Sequence, residues 1–201
     1  MNEDKRPGGW ERLLLAASFV PVIAFKVILK LNGAGPDRAR IASAAGLALV
    51  LLHLAAKRLS SHEVTHIEKA FLAYLGFFAA CSFLPLGGVS EIVAGHSIAI
   101  LYFVLCLMAS VPQLLGREPF SAAIARLRQP EELWKTPEFH AINLRISFFF
   151  AGIFLLSSIS AFWGREAPVF SIAIPLTLLF GAGLPFARLY PGRYLRRRGR
   201  A

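Results

Sequence analysis

The chain has 201 residues, of which 56% are hydrophobic and only 17% are charged, and its mean hydropathy is +0.57. This balance excludes an ordinary soluble domain, because a water-soluble domain of this length carries more charge on its surface. The formal net charge of +10 would suggest a nucleic-acid partner in a soluble protein. Here the basic residues lie between and after long apolar runs, so the composition indicates a membrane protein that binds no nucleic acid.

The N-terminal part of the chain predicts a short tail followed by a membrane anchor. Residues 1–9, MNEDKRPGG, are polar, and we expect them to be a disordered cytoplasmic N-terminus. Trp10 then suits an interfacial anchor, and the first span is predicted over Glu11–Leu31 with a kink at Pro21. Within it, Lys26 either snorkels to the outer interface or acts as a functional cation inside the membrane.

Five further apolar runs of helical length follow the first. They are Ile41–Lys57, Ala70–Leu86, Ile92–Leu115, Asn143–Trp163 and Val169–Tyr190. Small residues four apart, Ala42 with Gly46 and Gly76 with Ala80, would let another helix approach closely. The sixth run contains two prolines and two glycines, so we expect its helix to be the least regular. The predicted fold is therefore an all-α bundle of six transmembrane helices over residues 10–190, with a basic cytoplasmic tail over 191–201.

The distribution of lysine and arginine predicts the orientation of this bundle. The turns that would lie outside hold only Arg38, Arg40 and Arg165, while the loops and termini on the other side hold most of the basic residues. By the positive-inside rule, both termini are then cytoplasmic, in a multi-pass protein of a bacterial inner membrane. The arginine-rich tail is expected to contact anionic lipid headgroups in addition to its role in setting the topology.

The loop after the second span contains the run HEVTH. His62, Glu63 and His66 match H-E-x-x-H, a pattern that on a helix supplies two zinc ligands and a general base. A zinc hydrolase needs a third ligand as well, for which the candidates are His53, Glu68 and His140. The alternative is a polar interfacial loop without a metal. We adopt that alternative, and predict no catalytic residue, no metal and no cofactor.

The longest polar interruption of the apolar pattern is Gly116–Ser147, which the orientation places in the cytoplasm. Residues 120–128 carry apolar side chains on one face, which predicts a short interfacial amphipathic helix between the fourth and fifth spans. Thr136 and Pro137 are typical of the start of a helix that enters the fifth span. On that helix His140, Asn143 and Ser147 form a polar stripe, which we expect to hydrogen-bond to other helices.

This stretch resembles the signature GRPFT…YAR…P…W…P.F…N of a family of small, uncharacterised bacterial polytopic membrane proteins. The matching residues are Gly116, Arg117, Pro119, Phe120, Arg126, Trp134, Pro137, Phe139 and Asn143. The chain departs from the signature at the inserted Glu118, at Ser121 and at Ile124. The layout is similar to that of the intracellular septation protein A group. The resemblance implies an inner-membrane protein linked to envelope or division processes, and it carries no catalytic residues.

Three functions are open on the sequence alone. The first is a non-enzymatic protein that acts in membrane or envelope organisation, or as part of a complex with other membrane proteins. The second is a small solute transporter, because irregular first and sixth spans are typical of the broken helices of transporters. The third is an intramembrane zinc hydrolase that uses the HEVTH run.

Overall fold

The computed structural model describes residues 17–31, 36–60, 64–84, 89–126, 129–164 and 167–197, and these residues contain helices and no strand. The predicted all-α fold is thereby confirmed. The helices are α1 (Val20–Leu31), α2 (Pro36–Leu59), α3 (His66–Phe83), α4 (Val89–Gly95), α5 (Ser97–Leu114), α6 (Phe120–Arg126), α7 (Pro137–Trp163) and α8 (Val169–Arg197). The predicted N-terminus, residues 1–9, and the end of the tail lie outside the described residues.

Four of these helices are long and apolar enough to cross a membrane. They are Asp37–Leu59, Ser97–Leu114, Pro137–Trp163 and Val169–Arg197. They correspond to the second, fourth, fifth and sixth predicted spans and identify a multi-pass membrane protein. The first predicted span is described only from residue 17 onward, and α3 begins with the charged turn of His66, Glu68 and Lys69. The six-span count and the orientation therefore stay predictions.

The helices begin and end differently from the apolar runs that predicted them. Because a proline is well accommodated in the first turn of a helix, α2 and α7 begin at Pro36 and Pro137, several residues before the apolar run. The predicted fourth span is divided at His96, whose ring Nδ1 lies 2.9 Å from the Ile92 carbonyl oxygen. The expected kink at Pro21 coincides with a turn at residues 18–19, immediately before α1.

The helices form two compact units, residues 1–97 and 98–201. In the first unit, α1, α2 and α3 pack around the rings of Phe25, Tyr74 and Phe78, whose centroids lie 4.8–5.7 Å apart. Gly46 of α2 faces this core, and a Cβ atom there would lie 2.9 Å from a Leu75 methyl carbon. The predicted close approach at Gly46 is thereby confirmed. At Gly76 a Cβ would meet nothing within 4 Å, so that pair makes no such contact among the described residues.

In the second unit, α8 packs along α7 and is irregular, as its sequence predicts. Its backbone widens into π-helical turns at Val169–Ala173 and at Leu178–Gly183. Each wide segment ends two residues before a proline, Pro175 or Pro185. A proline ring clashes with the carbonyl group four residues earlier, and a wider turn relieves that clash. The helix then continues through Pro191 to Arg197, so part of the predicted tail is helical.

Candidate functional site: a buried charged cluster and a docked signature segment

A buried cluster of polar side chains joins the turn before α1 to α2 and α3 around one carboxylate. Glu68 of α3 is only 1% exposed. Its Oε1 accepts hydrogen bonds from Ser18 Oγ at 2.9 Å and Lys57 Nζ at 3.0 Å, and lies 2.8 Å from His53 Nε2. Its Oε2 accepts from Lys57 Nζ at 2.9 Å, from the Thr65 backbone N–H at 2.7 Å and from Thr65 Oγ1 at 3.0 Å. A carboxylate only accepts, so His53 carries a proton on Nε2 when it donates to Glu68.

The local sequence explains why Glu68 lies at this position. Thr65 is the N-cap residue of α3, and its hydroxyl accepts a hydrogen bond from the Glu68 N–H. The Glu68 carboxylate in turn accepts from the Thr65 N–H, which completes a capping box of the form T-x-x-E. The sequence interpretation of this region, as a charged loop or an interfacial helix, did not use that pattern. The T-x-x-E spacing before an apolar run was the available signal, and it predicts a helix that begins at His66.

The cluster keeps Glu68 ionised although it is buried. Burial by itself raises the pKa of Glu68, since it removes water from the charged form. The hydrogen bonds from Lys57, His53, Thr65 and Ser18 favour the charged form more strongly, and together they lower the pKa from 4.5 to about 2. Glu68 and Lys57, which is 8% exposed, therefore form a buried ion pair two residues before the predicted third span.

The low pKa of Glu68 predicts a loss of stability in acid. The folded-state pKa lies below the unfolded-state value, so the contribution of Glu68 is complete above pH 4.5 and disappears as the pH falls toward 2. In detergent solution, we expect the wild-type protein to unfold at a higher temperature than Glu68→Gln. The difference between the two thermal midpoints should stay constant from pH 7 to 5. The difference in thermal midpoint should shrink below pH 4.5. A difference in thermal midpoint that stays constant down to pH 3 would contradict the lowered pKa of Glu68.

The described part of the chain does not assemble the alternative zinc site that the HEVTH run suggested. His62 and Glu63 lie outside the described residues, and His66 is the first residue of α3. The candidate third ligands His53 and Glu68 do meet, but they hydrogen-bond to each other, and His140 is exposed on α7. Among the described residues no three His, Cys, Asp or Glu side chains are grouped so that they could hold a metal ion. Glu68 has both oxygens occupied, so a metal could bind it only by displacing these partners.

Lys26, another ionisable residue of the first unit, is half-buried and makes a hydrogen bond and a cation–π contact. Its Nζ donates to Ser97 Oγ and lies 5.7 Å from the centroid of the Phe25 ring. The hydroxyl of Tyr74 donates to the Ser97 carbonyl oxygen at 3.0 Å. Lys26 therefore connects α1 to the first residue of α5, and neither alternative considered for it included this contact.

The resemblance segment begins with a turn that requires glycine. Gly116 has φ = +69°, the left-handed region that side chains with a Cβ atom rarely adopt. Its N–H donates to the Gln113 carbonyl at 3.2 Å, and the Arg117 N–H donates to the Pro112 carbonyl at 2.8 Å. These two bonds form a Schellman motif that ends α5. The first two signature positions thus reverse the chain toward α6.

The next signature residues fix α6 to α7. Phe120 is 7% exposed and packs in a cluster with Ala109 and Ala151. Ser121 Oγ donates to the Asn143 carbonyl at 2.8 Å, and Ser147 Oγ donates to Ser121 Oγ at 3.0 Å. The predicted amphipathic helix is present, but its apolar face packs on protein instead of facing lipid. Of the three residues in the expected polar stripe, Asn143 and Ser147 hydrogen-bond to Ser121. The third residue, His140, is exposed.

The remaining signature residues close the segment and start α7. Arg126 forms an ion pair with Glu118, and its guanidinium lies 5.3 Å from the centroid of the Trp134 ring. Trp134 Nε1 donates to the Gln129 carbonyl at 3.0 Å. Thr136 accepts from the Phe139 N–H as N-cap, with Pro137 as the first helical residue, as predicted. Together these contacts order the segment between α5 and α7.

Comparison of the chain with protein-family models, with curated proteins and with solved structures gives no match. The resemblance to the septation protein A group stays a prediction.

Proposed function

We propose that the protein is a non-enzymatic, multi-pass component of a bacterial inner membrane, which acts in membrane or envelope organisation by binding other membrane proteins. The observation that carries this proposal is the docked signature segment. Buried contacts of Phe120, Ser121 and Asn143 hold this segment on the fold, while several of its polar side chains are exposed. These exposed residues are Arg117, Gln129, Glu131, Glu132, Lys135 and His140.

An ordered polar surface of this kind suits recognition by another protein. Loops that are rigidly positioned by a scaffold lose little conformational entropy on binding. The exposed residues include both charge signs, which favours specificity for one partner over general attraction to anions.

The test is photo-crosslinking in the native membrane followed by affinity purification. A crosslinking amino acid at Glu132 or at Lys135 should capture the same membrane, envelope or division protein. The control is the same amino acid at Leu156, an exposed apolar residue of α7. No captured protein, or an identical set of proteins from Leu156, would contradict the proposal.

A small solute transporter is the second candidate, and the π-helical turns of α8 favour it. Such turns are frequent at functional sites, and transporters bind solutes at irregular helices. Solute-dependent thermal stabilisation of the purified protein would support this candidate over the first. The third candidate, a zinc hydrolase, requires stoichiometric zinc that is lost on His62→Ala.

A further inference from the structure

Arg145 of α7 is a charged residue at the edge of a predicted span that has no carboxylate partner among the described residues. It lies two residues inside the predicted fifth span, which begins at Asn143. None of the ion pairs formed by the described residues includes it. After Glu138, neither α7 nor α8 contains an aspartate or a glutamate. Because a cation without a partner is costly at this depth, a counter-charge for Arg145 is expected from another molecule or from another part of the chain.

Aromatic contacts fix the Arg145 side chain at the seam between α7 and α8. Its guanidinium donates to the hydroxyl of Tyr190 and lies 5.1 Å from the centroid of the Tyr194 ring, which is buried. The Tyr190 ring stacks on Phe186, and Phe186 stacks on Phe149 of α7, with centroids 4.9 Å and 4.0 Å apart. The guanidinium and the hydroxyl are therefore positioned before a ligand arrives, which lowers the entropic cost of binding.

Arg145 and Tyr190 together offer hydrogen-bond donors that have no acceptor among the described residues. A guanidinium carries five N–H groups, and a phenol carries one O–H. The Tyr190 oxygen accepts from Arg145, so its own O–H still needs an acceptor, and neither residue has a further hydrogen-bond partner in the described part of the chain. Arg145 is exposed, so its remaining N–H groups are open to a ligand. Adjacent donors that carry a positive charge suit an anion with several oxygen atoms.

The depth of this pair in the predicted span favours phosphate as the anion. Phe149 follows Arg145 by four residues, and Phe186 precedes Tyr190 by four, so the stacked rings lie one helical turn further into the span. In the predicted topology the donors then lie where acyl chains give way to headgroups, a depth at which tyrosine is enriched. The planar guanidinium also matches phosphate, because it can donate parallel hydrogen bonds to two oxygens.

We propose that Arg145 and Tyr190 form a binding site for one phosphate group at the seam between α7 and α8. Arg145 supplies the counter-charge and donates through its free N–H groups, while the Tyr190 hydroxyl donates to a further phosphate oxygen. The phosphate belongs either to a lipid headgroup or to a soluble phosphate compound. The site is separate from the arginine-rich tail, and it does not depend on the proposed binding of other proteins.

The test measures binding to the full-length protein in a maltoside detergent by native mass spectrometry. The probes are phosphatidylglycerol and diacylglycerol with identical acyl chains, so that only the phosphate-bearing headgroup differs. We expect tighter binding of phosphatidylglycerol, and about a fivefold loss of its affinity in Arg145→Gln, the effect of one basic residue near an anionic surface. Tyr190→Phe removes the hydroxyl but keeps the ring, and it should weaken phosphatidylglycerol by a similar factor.

Two control variants change the same residue types outside the site. Arg188→Gln removes an exposed arginine of α8, and Tyr102→Phe removes the hydroxyl of a half-buried tyrosine of α5. Neither variant should change the affinity for phosphatidylglycerol. An equal loss in Arg188→Gln, an unchanged affinity in Arg145→Gln, or equal binding of the two probes would each overturn the site. If Arg145→Gln fails to fold, Arg145→Lys replaces it and should also weaken binding, because it keeps the charge but loses the planar donors.

Competition by inorganic phosphate identifies the source of the phosphate group. An excess of inorganic phosphate should leave phosphatidylglycerol bound if the natural ligand is a lipid, and should displace it if the ligand is a soluble phosphate compound. Both results support a phosphate site. A protein that copurifies with the wild-type chain and is lost in Arg145→Gln, with no change in affinity for phosphatidylglycerol, would overturn that site in favour of a protein carboxylate.

Discussion

Replacing Glu68 with glutamine is expected to lower the free energy of unfolding by about 3–5 kcal/mol, the usual cost of removing one partner of a buried ion pair. The substitution keeps the shape of the side chain but leaves the Lys57 ammonium 8% exposed and without its counter-charge. His53 and Ser18 also lose a charged acceptor. The measurement is unfolding of the detergent-solubilised protein by heat or by denaturant.

The matched control for this prediction is Glu91→Gln, since Glu91 is exposed on α4. We expect that variant to unfold at the same temperature, or at the same denaturant concentration, as the wild-type protein. The double variant Lys57→Met with Glu68→Leu should recover much of the loss, because it removes both charges together. A double variant as unstable as Glu68→Gln would mean that the surrounding hydrogen bonds, and not the unpaired charge, dominate the effect.

Replacing Phe120 with alanine is expected to release α6 from α7, at a cost of about 3–5 kcal/mol for a buried phenylalanine. Phe120 is the large side chain of the cluster with Ala109 and Ala151, and its ring lies edge-on to that of Phe150 at 6.0 Å. The hydrogen bonds of Ser121 and the smaller apolar contacts of Ile124 would remain. Hydrogen exchange should become faster over residues 117–126 and remain slow in the middle of α7.

Leu133→Ala is the control, since Leu133 lies in the same segment and is 43% exposed. It should change neither the exchange pattern nor the stability by more than about 0.5 kcal/mol. If the recognition surface depends on the docking of α6, a crosslinking amino acid in place of Glu132 should also capture less of its partner protein in the Phe120→Ala background. Uniformly faster exchange in the whole second unit would instead indicate global destabilisation.

The apolar pattern was sufficient to predict the long helices, because a run of about 20 apolar residues has few alternatives to a helix that spans a membrane. It was insufficient for the helix ends. Pro36, Thr65 and Pro137 begin helices in polar sequence, and they are recognised by capping chemistry and not by hydropathy. The signature segment was predicted as a helix with a capped exit, and the structure adds what its apolar face packs against.

The buried cluster around Glu68 could not be predicted from the sequence for a different reason. His53 and Lys57 lie four residues apart, so their shared face of α2 was readable. The partner Glu68 belongs to α3, and the more distant Ser18 lies in the turn before α1. Only the packing of α1, α2 and α3 brings these residues within hydrogen-bonding distance of His53 and Lys57. A polar residue near the end of an apolar run is compatible with either water or a buried partner, and periodicity does not distinguish the two.

The ion pair between Lys57 and Glu68 bears on how the chain enters the bilayer during synthesis. The two residues are eleven positions apart, at the end of α2 and the start of α3. In the predicted topology α2 and α3 form a helical hairpin, which would therefore carry a neutral pair at its cytoplasmic end instead of two separate ions. Charged residues are costly to insert singly. Consequently α2 and α3 are expected to partition together, and Glu68→Gln should also lower the insertion efficiency of α2 when the two segments are assayed as a pair.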